Sequence, residues 1–313
     1  MKKLAFLLIF CFSFATAQNG YWQQHVDYVM SIDVDVENFT YSGEQSLIYT
    51  NNSPDTLQRV FYHLYYNAFK PGSGLEAVSR NAYSDKRNMS RNLLSLDKDD
   101  WGDVKVLSLK QDGVLIAHTT KETILEVALA SPLLPGKSTT LDMSFFVKVP
   151  AVVRRAGKNN ADGVAFSMAQ WYPKLCEYDD QGWHANPYLG REFYGVWGDF
   201  DVTINIDKDY TVAASGYLQN PEKIGHGYAD LDPEVTHEEK ISWRFIAPDV
   251  HDFSWAADPE YIHDVVPIKN GPVMHFFYKN QAPYLKSWKE FQPYAVEFLT
   301  FFSDNIGKYP YKQ

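Results

Sequence analysis

His237-Glu238-Glu239-Lys240-Ile241 begins like the His-Glu-x-x-His zinc helix, in which two imidazoles one helical turn apart share an ion and the Glu activates a water. The second ligand is missing, because position 241 is Ile. The segment also runs directly into a strand pattern, so it reads as a polar loop. The other histidines (His25, His63, His118, His184, His226, His251, His263 and His275) are scattered, with none at metal-ligand spacing from another. A lone His is most often structural. There is no Gly-x-Ser-x-Gly elbow and no glycine loop for phosphate. Cys176 has no neighbour in sequence to activate it and reads as a small, partly buried thiol. The acidic pairs Asp179-Asp180 and Asp199/Asp201 read as solvated carboxylates in turns and on a strand's wet face. The sequence therefore assigns no catalytic residue and no metal ligand to this chain.

The densest unusual stretch is Phe166 to Asp201. It carries Gln170-Trp171-Tyr172-Pro173, Tyr178-Asp179-Asp180-Gln181-Gly182-Trp183 and Tyr194-Gly195-Val196-Trp197-Gly198-Asp199-Phe200-Asp201. Aromatic faces beside amides and carboxylates suit peptides or sugar rings. Large aromatics more often pack in a sheet core, and that reading is preferred for most of these rings.

The elements that must position this stretch are strands. Met30, Ile32, Val34 and Val36 alternate with polar residues, as do Leu141, Met143, Phe145, Val147 and Val149. Period two with one wet face indicates half-buried strands. Further strands are expected near 45–50, 59–65, 104–109, 125–129, 202–206, 210–214 and 241–246. Gln111-Asp112-Gly113 supplies a tight hairpin turn. Residues 70–100 read as a surface excursion with room for a short helix. Many short strands with almost no helical period indicate a mainly β, antiparallel sheet or sandwich domain. The period changes near the C-terminus. Leu285, Trp288, Phe291, Ala295, Phe298, Leu299 and Phe302 predict one amphipathic helix, broken or kinked at Pro293. A second, helical unit is expected to open near residue 263, with the chain stopping soon after it begins.

Lys2 and Lys3, an apolar run from Leu4 to Phe14 and Ala15-Thr16-Ala17 have the three-part layout of a secretory signal. The predicted divisions are a signal peptide over 1–17, a β domain over 18–262 and the start of a second domain over 263–313. Phe10 is too bulky for a lipid anchor at Cys11, and no run is apolar enough to cross a membrane. Export to the periplasm, cell surface or medium is expected. The formal net charge of −10 repels phosphate backbones, so nucleic acid is not an expected partner. With Cys11 in the leader, Cys176 cannot form an internal disulfide.

The motifs from Gln170 to Val202, together with Val212-Ala213-Ala214-Ser215-Gly216, Phe253-Ser254-Trp255-Ala256-Ala257 and Phe301-Phe302 through Gly307-Lys308-Tyr309-Pro310-Tyr311, resemble the aminopeptidase N-type zinc metallopeptidases. The resemblance covers nearly the whole chain after the leader, in the family's order. It implies a saddle-like antiparallel β domain, followed by the start of an α-rich thermolysin-like domain. It implies zinc in the complete enzyme, held by His-Glu-x-x-His and a later Glu beyond Gln313, with none bound by this chain. It implies peptide substrates, and a catalytic domain that this chain lacks as its partner. By motif position, it implies that Gln170 contacts the substrate's N-terminal residue. The alternative is a non-catalytic exported module that binds peptides or glycans on the same scaffold.

Overall fold

The computed structural model describes residues 20–81, 93–151, 156–190, 194–229, 238–282 and 284–313. The expected leader and His237 of the zinc-like segment lie outside them.

From the N-terminus, the chain forms strands β1 (His25–Asp35), β2 (Thr40–Asn51) and β3 (Leu57–His63), then helix α1 (Gly74–Asn81). Strands β4 (Asp103–Gln111), β5 (Val114–Leu115), β6 (His118–Lys121), β7 (Ile124–Leu133) and β8 (Lys137–Lys148) follow. The middle of the chain makes short pieces: β9 (Gly157–Lys158), β10 (Phe166–Met168), β11 (Lys174–Leu175), β12 (Tyr178–Asp179) and β13 (Gly182–Trp183). Next come β14 (Gly198–Asp207), β15 (Thr211–Ala214), β16 (Tyr217–Leu218), the single turn α2 (Pro221–Ile224), β17 (Lys240–Val250) and β18 (Trp255–Asp258). The hairpin β19 (Tyr261–Pro267) and β20 (Val273–Lys279) leads into helix α3 (Tyr284–Asn305).

The fold is mainly β, as expected. An eight-stranded sheet has the order β16-β17-β14-β1-β2-β8-β4-β5, and two four-stranded sheets have the orders β15-β18-β10-β9 and β11-β3-β7-β6. Alternation fixes the faces. On β1, Tyr28, Met30, Ile32 and Val34 are buried while Ser31 and Asp33 are exposed. Asp112 and Gly113 both have positive φ, 49° and 82°, which is the backbone of the predicted two-residue hairpin. The core is joined by aromatic pairs between sheets and segments, including Tyr41–Trp171 and Phe200–Phe253.

One pairing departs from the antiparallel expectation. β1 and β14 run parallel, with Val26 opposite Gly198 and Asp27 opposite Asp199. Gly198 is needed there, because a Cβ would stand 1.7 Å from the Val26 carbonyl oxygen. Gly198→Ala must therefore push two central strands apart. It is expected to lower stability by ~3 kcal/mol, the upper part of the range for overpacking. Urea unfolding checks this through a lowered midpoint at unchanged slope.

The terminal helix is continuous through Pro293, so of the break or kink expected there the break is not made. Tyr278 stacks on Trp288 at 5.4 Å, and Lys289 Nζ donates to Asp264 Oδ2 at 2.6 Å, which ties α3 to the β19–β20 hairpin. No residue of α3 is buried, and Phe291 and Phe298 are 51 % and 62 % exposed. The hairpin itself lacks clean alternation in sequence, because nearly all of its residues are half-covered on both faces.

Candidate functional site

Residues 170–176 follow β10 without a regular period, and separate elements hold them. Trp171 Nε1 donates to the Phe253 carbonyl at 2.9 Å, and the Tyr41 hydroxyl donates to the Trp171 carbonyl. Gln45 Nε2 donates to the Pro173 carbonyl at 3.0 Å. The Leu175 and Cys176 amides donate to the Tyr28 hydroxyl at 2.9 Å and the Phe61 carbonyl at 2.8 Å. Trp171 and Tyr172 are buried, as the core reading of these rings requires. Tyr194 and Trp197 are not: about half of each is exposed.

Gln170 occupies a special position in this segment. Its φ is +53°, a left-handed conformation that costs a side-chain-bearing residue energy unless its surroundings enforce it. The anchored Trp171 on one side and β10 on the other do so. Gln170 is 9 % exposed, and among the described residues its side-chain amide has no hydrogen-bond partner. Neither amide atom is sealed from solvent, so the group can meet a ligand or water. The residues just before it, Ser167 to Ala169, line a cleft of about 720 Å³. Gln170 stands at the end of that wall rather than on it. Further lining comes from the β15–β16 turn, the β20 strand and the segment Tyr309–Gln313. That last segment is fastened by Tyr311 Oη donating to the Asp249 carbonyl at 2.8 Å and by the Val273 amide donating to the Lys312 carbonyl at 2.8 Å.

Beyond Pro173 the chain carries a buried charge network. Lys174, 2 % exposed, pairs with Asp252 at 3.3 Å and donates to the His251 carbonyl at 2.7 Å. Burial pulls the Lys174 ammonium towards neutrality, and Asp252 opposes that pull. Burial and the nearby Lys174 hold His63 down to about 4. Burial pushes the Glu177 carboxyl up to about 7. Asp179 is gripped by His184 Nε2 at 2.8 Å and by the Tyr194 hydroxyl at 3.0 Å. The network ties the segment to the loop that carries His251 and Asp252.

Glu177 makes stability depend on pH. Its folded-state pKa lies above that of the unfolded chain, so its contribution is intact at pH 4 and is lost as pH rises through about 7. Glu177→Gln removes this loss. The variant is expected to gain on the order of 1 kcal/mol over the parent at pH 8 and almost nothing at pH 4. Thermal melts at the two pH values decide it.

Other sequence readings are refined. Cys176 is fully buried and burial raises its thiol pKa, which keeps it unreactive. Asp201 is not merely solvated, since Arg244 binds both of its oxygens at 2.9 and 2.6 Å. Three histidines also find partners that their spacing hid. His263 meets His275 across the hairpin. His25, Asp27 and Asp199 bring one ligand atom each within 4.8 Å of one another. The parallel pairing of β1 with β14 creates this second group. It includes no Glu to activate a water and lies on other strands than the segment carrying Gln170, so it does not fit the zinc centre of a peptidase.

The fold has solved counterparts. A mutant M1 zinc metallopeptidase from Deinococcus radiodurans matches at TM-score 0.54 and 16 % identity, over 94 % of this chain and 56 % of that one. A two-domain M1 zinc metallopeptidase mutant bound to L-arginine matches at 0.55 and 15 %, over 94 % and 56 %. A mutant M1 zinc metallopeptidase from Deinococcus radiodurans bound to a Tyr-Ser-Ala substrate matches at 0.54 and 15 %, over 93 % and 54 %. The chain thus spans little more than half the length of these structures. No family model and no curated protein matches it in sequence. At such identities the likeness is one of fold.

Proposed function

We propose that this chain is the β part of an exported zinc aminopeptidase and that Gln170 contacts the substrate's N-terminal residue. The observation that carries this reading is Gln170: a largely covered residue of strained backbone whose amide keeps access to solvent and has no partner among the described residues, at the end of a cleft wall. An amide both donates and accepts, which suits a peptide's amine and first carbonyl. The likeness of fold to M1 zinc metallopeptidases over 94 % of the chain supports it. No helix of the described residues is long and apolar enough to cross a membrane.

In this reading residues 1–17 are the leader, 18–262 the β domain and 263–313 the opening of the catalytic domain. The zinc centre is assigned to no residue of this chain. Zinc there would supply Lewis-acid chemistry and an activated water. This chain binds and orients the peptide. The exposed aromatic ridge of α3, with Trp288, Phe291, Phe298 and Phe302, is the surface we assign to the rest of the catalytic domain.

The test is hydrolysis by the complete gene product of a short peptide with a free amine and of its N-acetylated form. Cleavage of the free peptide only, abolished by a chelator and restored by zinc, is expected. Equal cleavage of both, or indifference to the chelator, rejects the reading. The exposed Tyr194 and Trp197 rings favour the second reading, a non-catalytic module for peptides or glycans. That reading requires ligand binding that survives chelation without any hydrolysis.

A further inference from the structure

We propose that His275 anchors an uncharged, largely apolar ligand in the 720 Å³ cleft by accepting a hydrogen bond at Nε2 from the ligand's N–H or O–H group. The proposal goes beyond the peptidase reading and does not depend on Gln170.

The tautomer of His275 follows from its partners. His263 Nδ1 lies 3.0 Å from the His226 carbonyl oxygen, and a carbonyl can only accept. Nδ1 of His263 therefore carries the proton, and in a neutral ring its Nε2 holds a lone pair. That Nε2 lies 2.8 Å from His275 Nδ1. The bond forms only if His275 Nδ1 is the donor, which leaves the lone pair of His275 on Nε2. Among the described residues, Nε2 has no protein partner, and His275 stands on the cleft wall. Both rings are neutral near pH 7. Burial and the neighbouring His263 hold His275 down to about 4, and burial lowers His263.

The relay is rigid. Thr211 Oγ1 at 2.9 Å and the Lys208 carbonyl at 3.1 Å fix His226, which supplies the terminal carbonyl. Tyr228 stacks on His275 at 5.5 Å, and Phe277 stacks on His263 at 4.2 Å. A fixed acceptor loses little entropy on binding.

The cleft selects the class of ligand. Among the described residues no Asp, Glu, Lys or Arg lines it, and Ala213, Ala214, Ala247, Met274 and Phe277 give it apolar walls. An ionised ligand would lose hydration and meet no counter-charge. A neutral ligand with an apolar body and one donor meets both the walls and the imidazole. Its size is that of ordinary small-molecule sites.

Indole is the probe, with 1-methylindole as the analogue that lacks the donor, titrated into the purified chain by calorimetry. Indole is expected to bind about 5- to 10-fold more tightly, the yield of one neutral hydrogen bond. His275→Phe is expected to keep 1-methylindole binding and erase the advantage of indole. Equal affinities, no binding of either probe, or an advantage that survives His275→Phe overturns the proposal. The nitrogen-15 shifts of the His275 ring test it without any variant. A protonated Nδ1 with a bare Nε2 is expected, and the reverse tautomer overturns it.

Discussion

Trp171→Ala should remove about 4–5 kcal/mol of stability, the high end for deleting a large buried aromatic. Trp171 is fully buried and packs against Tyr41, Tyr172, Phe253 and Trp255, with ring centroids 5.1–6.3 Å away. These rings come from two strands and two loop segments, and they cannot all collapse into one vacancy. The substitution also strands the Phe253 carbonyl that accepts from Nε1. Trp171→Phe keeps most of the volume and loses the hydrogen bond, so a loss of about 1–2 kcal/mol is expected. Whole domains are stable by only ~5–15 kcal/mol, so the alanine variant is at risk of unfolding at 37 °C. Chemical denaturation of both variants measures the difference. Equal, small losses would mean that Trp171 is not the keystone of the segment.

Asp252→Ala should cost about 3–5 kcal/mol, because it leaves the Lys174 ammonium buried without its counter-charge. The same carboxylate also accepts from the Tyr172 hydroxyl at 2.9 Å and from the Phe253 amide at 2.9 Å. The double variant Lys174→Met with Asp252→Ala should recover most of the loss, since an apolar pair of similar volume often replaces a buried ion pair at little cost. A thermodynamic cycle of the two single variants and the double reads the coupling. Additive losses would show that the ion pair contributes nothing as a pair.

These two residues lie where the sequence was least readable. The strands were legible because their faces differ: β1 and β8 alternate cleanly, and Asp112-Gly113 states its own turn. The terminal helix was legible from its aromatic period, although Pro293 suggested a break that the helix does not make. The hairpin β19–β20 was missed, since strands half-covered on both faces lose the period of two. The parallel pairing of β1 with β14 joins segments about 170 residues apart, and no local signal announces it. Everything that depends on pairing was hidden with it, including the meeting of Asp27 with Asp199 and the need for glycine at Gly198. The histidine relay was hidden in the same way. His263 and His275 lie 12 residues apart, and only the hairpin register brings their rings together. Gln170 could be singled out by its place in a motif. Its strained backbone and unpartnered amide could not, because they arise from how Trp171 and β10 are held.

The most direct measurement compares kcat/KM for an aminoacyl-4-nitroanilide between the complete gene product and its Gln170→Ala variant, with thermal melts of both. A chelator-sensitive activity that falls about 10- to 100-fold in a variant of unchanged melting temperature is the expected result, corresponding to ~1.4–2.7 kcal/mol of lost transition-state binding. An unchanged kcat/KM, or no zinc-dependent hydrolysis by the parent, would contradict the role given to Gln170 and to this chain.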